Sequence, residues 1–167
     1  MYSFLKYLRP LGVIALILLL IGCTTSHSPE PEIDPDPSSE KKAILAALNQ
    51  ETQAAFTRDY EAWKSYWIQE PYVTKYYLHL PDSSFTQTEG WTAIDDFVQS
   101  YMTDHPEPDP LPAPLTEADI RLYGTGAWVT YEQIDPARGR KKETRLMEKD
   151  NGQWKIAGMK TIIYGGH

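Results

Sequence analysis

Hydrophobic and polar positions divide the chain into three stretches. Residues 11–21 form one continuous apolar run behind two basic residues, Lys6 and Arg9. Residues 24–40 then contain four prolines and five carboxylates, a composition that cannot supply a core. From residue 39 onward, apolar positions recur first at helical and then at strand intervals. The pattern therefore predicts an apolar N-terminal segment, a linker and one folded domain.

Three helices are predicted at the start of the domain. The first extends from Ser39, a residue suited to cap a helix, to about Thr57. The second begins at Asp59 and ends before Pro71, and the third begins after Gly90. Apolar residues recur along them at intervals of three and four: Ile44, Leu48, Ala55 and Phe56; Tyr60, Trp63 and Trp67; Trp91, Ile94, Phe97, Val98 and Tyr101. Each helix therefore has one face suited to burial.

A strand is predicted between the second and third helices, at residues 73–80, because its side chains alternate in character. A short return strand is predicted at residues 83–88. Alternation assigns to the core Tyr76, Leu78 and Leu80, and assigns to solvent Lys75, Tyr77 and His79.

Four more strands are predicted after a proline-rich loop at residues 104–114. Their ranges are 115–123, 127–134, 141–149 and 153–164. Asn151 and Gly152 lie between the last two ranges and give a strong hairpin signal. The fold class is therefore α+β, with three N-terminal helices packed on a mainly antiparallel sheet.

Bulky residues are predicted on both faces of the last strands. On one strand, alternation places Trp128 on the opposite face of the sheet from Val129 and Tyr131. On the last strand, it places on one face Trp154, Ile156 and Ile162 and on the other Met159, Thr161 and Ile163. A sheet covered on one side only would leave one set in water. A second copy of the chain is the simplest cover, so a homodimer through the outer sheet face is expected.

Several short segments carry a family resemblance through their order and spacing. They are Trp63 with Trp67, Gly90-Trp91-Thr92-Ala93-Ile94, Ala127-Trp128-Val129, Glu143-Thr144-Arg145 and Gly152-Gln153-Trp154-Lys155-Ile156. Together they resemble the nuclear transport factor 2-like superfamily, which includes SnoaL-like cyclases and ketosteroid isomerase, over nearly all of residues 39–164. The resemblance implies a cystatin-like cone, in which a strongly curved sheet wraps the helices around an apolar pocket. It also implies pairing as a homodimer.

The first 22 residues have the parts of an export signal: a basic start, an apolar run and small residues before a cut. Their end, Leu20-Ile21-Gly22-Cys23, resembles the lipobox of bacterial lipoproteins. The resemblance implies cleavage after residue 22 and lipid, palmitate included, on Cys23. The alternatives are a chance cysteine behind an ordinary signal and a retained transmembrane helix, for which the run is well short of roughly 20 residues.

An acidic tether is predicted at residues 23–38, leading into a domain at residues 39–167. The resemblance to bacterial lipoproteins also implies that Thr24, which follows the lipid cysteine where an aspartate could stand, favours the outer membrane over the inner one. The domain is then expected to be periplasmic or surface-exposed. Cys23 is the only cysteine, so the domain has no internal disulfide.

Charge excludes one class of partner. The chain carries a net charge of −7, which becomes −9 once Lys6 and Arg9 are removed with the signal. A field of that sign repels phosphate backbones, so nucleic acid is not expected as a partner. Attachment to the membrane is expected through lipid alone.

Candidate pocket residues are aromatic or form one charged pair. Glu143 and Arg145 lie two apart on a strand and point the same way, so the arginine would lower the pKa of the carboxyl group. That pair would favour ligand binding over proton abstraction, and an ordinary structural ion pair is the alternative. The aromatic candidates, which could equally be core residues, are Trp63, Trp67, Tyr76, Trp91 and Tyr131.

Other chemistry is not predicted. No two histidines have ligand spacing, so no metal site is expected. Neither a phosphate-binding loop nor a nucleophile elbow is present, so no cofactor is predicted. The resemblance would imply a pocket aspartate or histidine with a tyrosine partner, and the sequence offers no such pair at an assignable position.

Three functional hypotheses follow. The first is a lipid-anchored envelope protein whose cone binds a small, partly apolar molecule or a protein partner without catalysis. The second is a cofactor-free isomerase, dehydratase or cyclase that transfers protons in the pocket. The third is a structural subunit of an envelope complex. A hollow cone would separate the first two from the third, and an unpaired buried carboxylate would favour the enzyme.

Overall fold

A computed structural model describes residues 36–165 of the chain. The predicted signal peptide, Cys23 and nearly all of the predicted tether lie outside the described residues. Among the residues described, no helix has both the length and the apolar character needed to cross a membrane.

Three helices form as the sequence pattern predicts. They are α1 (Pro37–Thr57), α2 (Tyr60–Ser65) and α3 (Trp91–Asp104). Helix α1 begins two residues before the predicted start, because Asp36 rather than Ser39 is its cap and accepts a 3.1 Å hydrogen bond from the Ser38 amide. Asp59 caps α2 as predicted, accepting from the Ala62 amide at 3.0 Å.

Six strands form one curved sheet in the order β2-β1-β6-β5-β4-β3. They are β1 (Thr74–His79), β2 (Ser84–Glu89), β3 (Asp119–Tyr123), β4 (Gly126–Asp135), β5 (Gly139–Asp150) and β6 (Gln153–Ile163). Strands β3 to β6 form the predicted antiparallel meander, while β1 pairs parallel with β6. The sheet is therefore mixed, and the predicted α+β class with helices packed on a curved, mainly antiparallel sheet is confirmed.

The turn between β5 and β6 follows its sequence signal. Asn151 and Gly152 both adopt positive φ angles, 50° and 80°. Two left-handed residues in succession match the right-handed twist of the flanking strands, which is why an Asn-Gly pair favours a tight hairpin.

A bulge in β6 overturns part of the predicted face assignment. Leu146 of β5 pairs with Gly158, whereas the next residue, Met147, pairs with Ile156, so Ala157 is an extra residue. The alternation of side chains between the two faces of the sheet therefore shifts by one residue at Ala157. Trp154 and Ile156 are therefore buried in the core together with Met159, Thr161 and Ile163, not opposite to them.

The assignment of the β1 faces was also wrong. Lys75 is buried, and Lys75, Tyr77 and His79 point toward the helices, while Tyr76 stacks on Phe85 of β2 on the other face, with ring centroids 6.3 Å apart. The alternation of polarity on β1 does not distinguish core from solvent, because a cavity lies on its more polar side.

Candidate functional site

A cavity of about 450 Å³ lies between the inner face of the sheet and helices α1 and α3. The cone is therefore hollow. Its wall combines apolar side chains with a set of ionisable groups contributed by α1, β1 and β5. The charged residues of its inner part are Glu51, Lys75, Lys141, Glu143 and Arg145.

Glu143 is the best-connected carboxylate of this cavity. It is 1% exposed and accepts hydrogen bonds from the Tyr131 hydroxyl at 2.9 Å and from Arg145 Nε at 2.8 Å. Its second oxygen, Oε1, lies 2.7 Å from Lys141 Nζ. Three donors on one carboxylate satisfy it fully, as burial requires.

The surroundings of Glu143 hold it in the ionised form. Burial alone would raise the pKa of Glu143, but the charges of Arg145 and Lys141 and their hydrogen bonds lower it to about 2. The direction of this shift agrees with the effect that the sequence predicts for Arg145 on the carboxyl group. A carboxylate with so low a pKa is a weak general base near neutral pH.

Glu51 of α1 is a second buried carboxylate, held by two indoles. Its Oε1 accepts from Trp63 Nε1 at 3.0 Å and from Trp67 Nε1 at 3.2 Å. Its Oε2 lies 3.8 Å from Arg145 Nη2, so the arginine links the two carboxylates across the cavity. Trp67 is placed for this contact by backbone hydrogen bonds that join the end of α2 to Ile156 of β6.

Two buried polar atoms lack partners within the described part of the chain. They are Arg145 Nη1 and Thr161 Oγ1. The two residues lie on the neighbouring strands β5 and β6, two register positions apart, and both line the cavity. An unpaired guanidinium N–H in a cavity is a donor available to a ligand oxygen.

Lys75 is a second buried cation of the cavity, and its Nζ also lacks a hydrogen-bond partner among the described residues. It is 6% exposed, and no hydrogen bond or ion pair joins its Nζ to any atom of residues 36–165. Instead, Nζ lies 5.4 to 5.9 Å from the centroids of four rings, those of Trp63, Trp67, Tyr77 and Phe97. These rings supply cation–π attraction but no hydrogen-bond acceptor.

The more exposed part of the lining is an alternating charged cluster. Asp109 of the proline-rich loop lies 3.1 Å from Arg58 Nη2 and 3.3 Å from Arg138 Nη2. Arg138 also contacts Asp135 at 3.1 Å. Two arginines and two aspartates balance here, so this cluster ties the loop to the domain without adding net charge.

Several sequence-predicted residues do meet at this site. Trp63, Glu143 and Arg145 line the cavity. Tyr131 and Trp67 stand behind that wall and hydrogen-bond to its carboxylates. The other two candidates lie elsewhere: Trp91 stacks behind Trp63 at 5.9 Å, and Tyr76 is on the outer face.

Three charged residues of the site were not found from the sequence. Glu51 lies on the apolar face of α1, one turn beyond Leu48, and a carboxylate in that stripe is a usable signal. Lys141 shares the strand parity of Glu143 and Arg145, which is a second signal. Lys75 gives none, because it is buried only through the parallel pairing of β1 with β6.

His79 was assigned to solvent, but it lines the cavity, and its Nδ1 lies 2.8 Å from Asp82 Oδ1. Within residues 36–165, no group of three His, Cys, Asp or Glu side chains is arranged to hold a metal ion.

Comparison with known proteins identifies the family. The family model of the SnoaL-like domain matches residues 44–160. That match covers more than half of the chain, so the protein belongs to the SnoaL-like domain family. The predicted resemblance is confirmed. No curated protein matches the chain.

Solved structures agree on the fold. A cystatin-like fold protein from Burkholderia xenovorans LB400 is 17% identical, with 79% of this chain and 96% of the other covered and a TM-score of 0.59. A nuclear transport factor 2-like protein of unknown function from Pseudomonas putida KT2440 is 14% identical, with 75% and 87% covered and a TM-score of 0.58. A candidate dehydratase of this superfamily from Streptomyces avermitilis is 14% identical, with 78% and 99% covered and a TM-score of 0.59.

Proposed function

We propose that this domain binds a small, partly apolar organic anion in its cavity. One observation carries the proposal: three cations of the inner cavity, Lys75, Lys141 and Arg145, face only two carboxylates there, Glu51 and Glu143, while the third buried carboxylate of the lining, Asp135, is paired with Arg138. The inner cavity thus holds a formal charge of +1 inside a chain whose net charge is −7. An anion would compensate that charge and would accept from Arg145 Nη1.

The rest of the wall fits the apolar part of such a ligand. It is formed by Ala55, Phe56, Phe97, Val98, Met102 and Met159. A mostly apolar wall with a few convergent polar groups is the usual composition of a small-molecule site. A volume of about 450 Å³ accommodates a molecule of one or two rings.

The arrangement of the carboxylates supports binding more than proton transfer. Glu143 has a pKa of about 2 and accepts from Tyr131, Arg145 and Lys141, so it is neither a useful acid nor a useful base near pH 7. The enzyme alternative, of the kind assigned to the Streptomyces avermitilis protein, would need another group to move the proton.

The test uses a matched pair of probes, 1-naphthoate and its uncharged analogue 1-naphthamide, with full-length protein in calorimetric titrations. Naphthoate should bind, and Arg145→Lys should weaken its binding at least about tenfold, since lysine lacks the Nη1 donor that the carboxylate would use. Arg140→Lys is the control, because Arg140 is exposed on the same strand. Equal affinity for the amide, or an unchanged affinity in Arg145→Lys, would contradict the proposal.

The same proposal places the domain at a membrane through lipid on Cys23. Support comes from the lipobox-like sequence and the acidic, proline-rich residues that follow. Intact mass and fatty-acid labelling of the wild type and of Cys23→Ser test it. Only the wild type should carry label and partition into the membrane fraction, and label retained by Cys23→Ser would exclude this attachment.

Pairing through the outer sheet face is the third part of the proposal. Trp128 and Leu146, cross-strand partners on that face, are 44% and 43% exposed. Apolar residues side by side on an exposed sheet favour a second copy as cover. Sedimentation of the wild type should give a dimer and Trp128→Ser a monomer, whereas a monomeric wild type would remove this part.

A further inference from the structure

The ammonium of Lys75 contributes its charge to the proposed anion site, but no atom of residues 36–165 accepts a hydrogen bond from it. Glu143 is satisfied by three donors, and Glu51 is satisfied by two indoles. Lys75 Nζ, by contrast, lies among four aromatic rings on the cavity wall without any acceptor from residues 36–165. Its apolar surroundings penalise the charged form of the amine.

That environment makes the amine available as a nucleophile. Burial lowers the pKa of Lys75 from its ordinary value of 10.5 to about 8, even though the charge of Glu51 acts in the opposite direction. At pH 7, about one tenth of the amine is therefore unprotonated, against about one part in a few thousand for a solvated lysine. An unprotonated, desolvated lysine is the form that attacks carbonyl carbon.

Strand register places Lys75 and Arg145 on one level of the same wall. Both residues pair with Met159 of β6, Lys75 from the β1 side and Arg145 from the β5 side. The two backbones are thus two strand spacings apart, about 10 Å, and their side chains point into one cavity. One small molecule can reach both cations at its opposite ends.

We propose that Lys75 forms a reversible imine with the carbonyl group of an organic anion whose negative charge is held at Arg145. This inference rests on the proposed function and specifies its ligand class as a carboxylate that also bears an aldehyde or ketone. The geometry carries it: Arg145 Nη1 has no partner among the described residues, and Lys75 Nζ lies among aromatic rings on the same cavity wall.

The reaction balances without any further reactant. The Lys75 ammonium gives up one proton, and the lone pair of the resulting amine forms a bond to the carbonyl carbon, which yields a carbinolamine after its nitrogen proton passes to the oxygen. The carbinolamine oxygen then leaves as water, taking two protons in all, and a protonated imine remains. One ammonium and one carbonyl thus become one iminium and one water. Glu51 is the carboxylate whose charge acts most strongly on Lys75.

The experiment traps this bond with a defined probe. Full-length protein is incubated at pH 7.5 with 4-carboxybenzaldehyde and reduced with borohydride, which converts an imine into a stable secondary amine. Peptide mapping should locate one adduct at Lys75. Labelling by benzaldehyde, which lacks the carboxylate, should be at least about tenfold slower, because it has no charge to place at Arg145.

Variants and pH provide the controls. Lys75→Arg keeps a cation and Lys75→Met keeps the length, and neither can form the imine, so both should lose the adduct. Lys142→Arg should keep it, because Lys142 is exposed on β5 and does not line the cavity. The labelling rate should reach half of its maximum near pH 8, where surface lysines remain protonated.

The outcomes distinguish this inference from the proposed function. Label spread over exposed lysines, with Lys75 unmodified, would overturn the inference. If 1-naphthoate still binds the wild type in that case and Arg145→Lys weakens its binding, the anion-binding function stands alone. If neither probe engages the cavity, both fail.

Discussion

Two buried lysines on one cavity wall differ in how their charge is compensated. Lys141 is 7% exposed and its Nζ lies 2.7 Å from Glu143 Oε1, within a network that also contains Arg145 and Tyr131. Lys75 is 6% exposed and has aromatic rings around it but no carboxylate in contact. Equal burial therefore gives unequal energetics: one lysine belongs to the interactions that hold the sheet together, and the other costs stability.

This difference separates structural charge from available charge. A buried ion pair with all its donors used offers little to a ligand, since a ligand would have to replace a bond of equal quality. A buried cation without an acceptor gains an interaction when a ligand arrives. The cavity thus combines a satisfied ion pair, Lys141 with Glu143, and two donors that could still accept a ligand, Arg145 Nη1 and Lys75 Nζ.

The largest expected effect comes from breaking the Glu143 network. Glu143→Gln removes the charge that Lys141 and Arg145 share and leaves two buried cations uncompensated. We expect the free energy of unfolding to fall by about 3–5 kcal/mol. Urea denaturation followed by tryptophan fluorescence measures this. Glu132→Gln, an exposed change on the neighbouring strand, should stay within about 0.5 kcal/mol. A similar loss in both variants would show that the network is not the cause.

The next effect isolates Lys141. Lys141→Met removes one of three donors to Glu143 and leaves a buried carboxylate oxygen, Oε1, without its partner. The expected cost is about 2–3 kcal/mol in the same urea assay. A variant as stable as the wild type would mean that Arg145 and Tyr131 suffice for Glu143, and the contrast between the two lysines would then be lost.

Lys75→Met should act in the opposite direction. It removes a buried ammonium whose desolvation is not repaid by an acceptor, at the loss of weak cation–π contacts. We expect the free energy of unfolding to rise by about 1–2 kcal/mol at pH 7. Removing the desolvated charge relieves about 3 kcal/mol, and losing the cation–π attraction takes part of that gain away. Destabilisation on this scale would refute the view that Lys75 costs stability.

The smallest effect is a pH dependence. The pKa of Lys75 is about 8 in the folded protein and 10.5 ordinarily, so the unfolded chain binds more protons between these values. Stability should therefore rise with pH in this window, by about 1 kcal/mol from pH 7 to 9. The measurement is the difference between wild type and Lys75→Met at each pH, and parallel curves would exclude this assignment. Glu143, whose pKa is lowered to about 2, loses its contribution only as pH falls below about 4.5.

Much of the fold could be predicted because its signals are local. Asp59 caps α2 and Asn151-Gly152 closes the last hairpin through interactions within a few residues. The pairing of β1 beside β6 could not be predicted in this way, because it joins residues far apart in the chain without a turn between them. The faces of β1 depended on that pairing and were therefore assigned incorrectly.

The site was predictable to the same extent. Glu143 and Arg145 share one strand face, so their convergence followed from parity, and it is confirmed. Their partners come from elsewhere: Glu51 from α1 and Lys75 from β1 reach them only in the folded protein. The balance of three cations against two carboxylates is a property of that assembly and not of any segment.

The extra residue at Ala157 also determines how β6 can vary in evolution. Before this residue the even-numbered side chains of β6 point into the core, and after it the odd-numbered ones do. A deletion of one residue there would turn either Trp154 and Ile156 or Met159 and Thr161 outward, while leaving composition almost unchanged. Homologous chains that keep this cavity should therefore tolerate substitutions on β6 but preserve the number of its residues. Insertions and deletions in this strand should be rarer than substitutions.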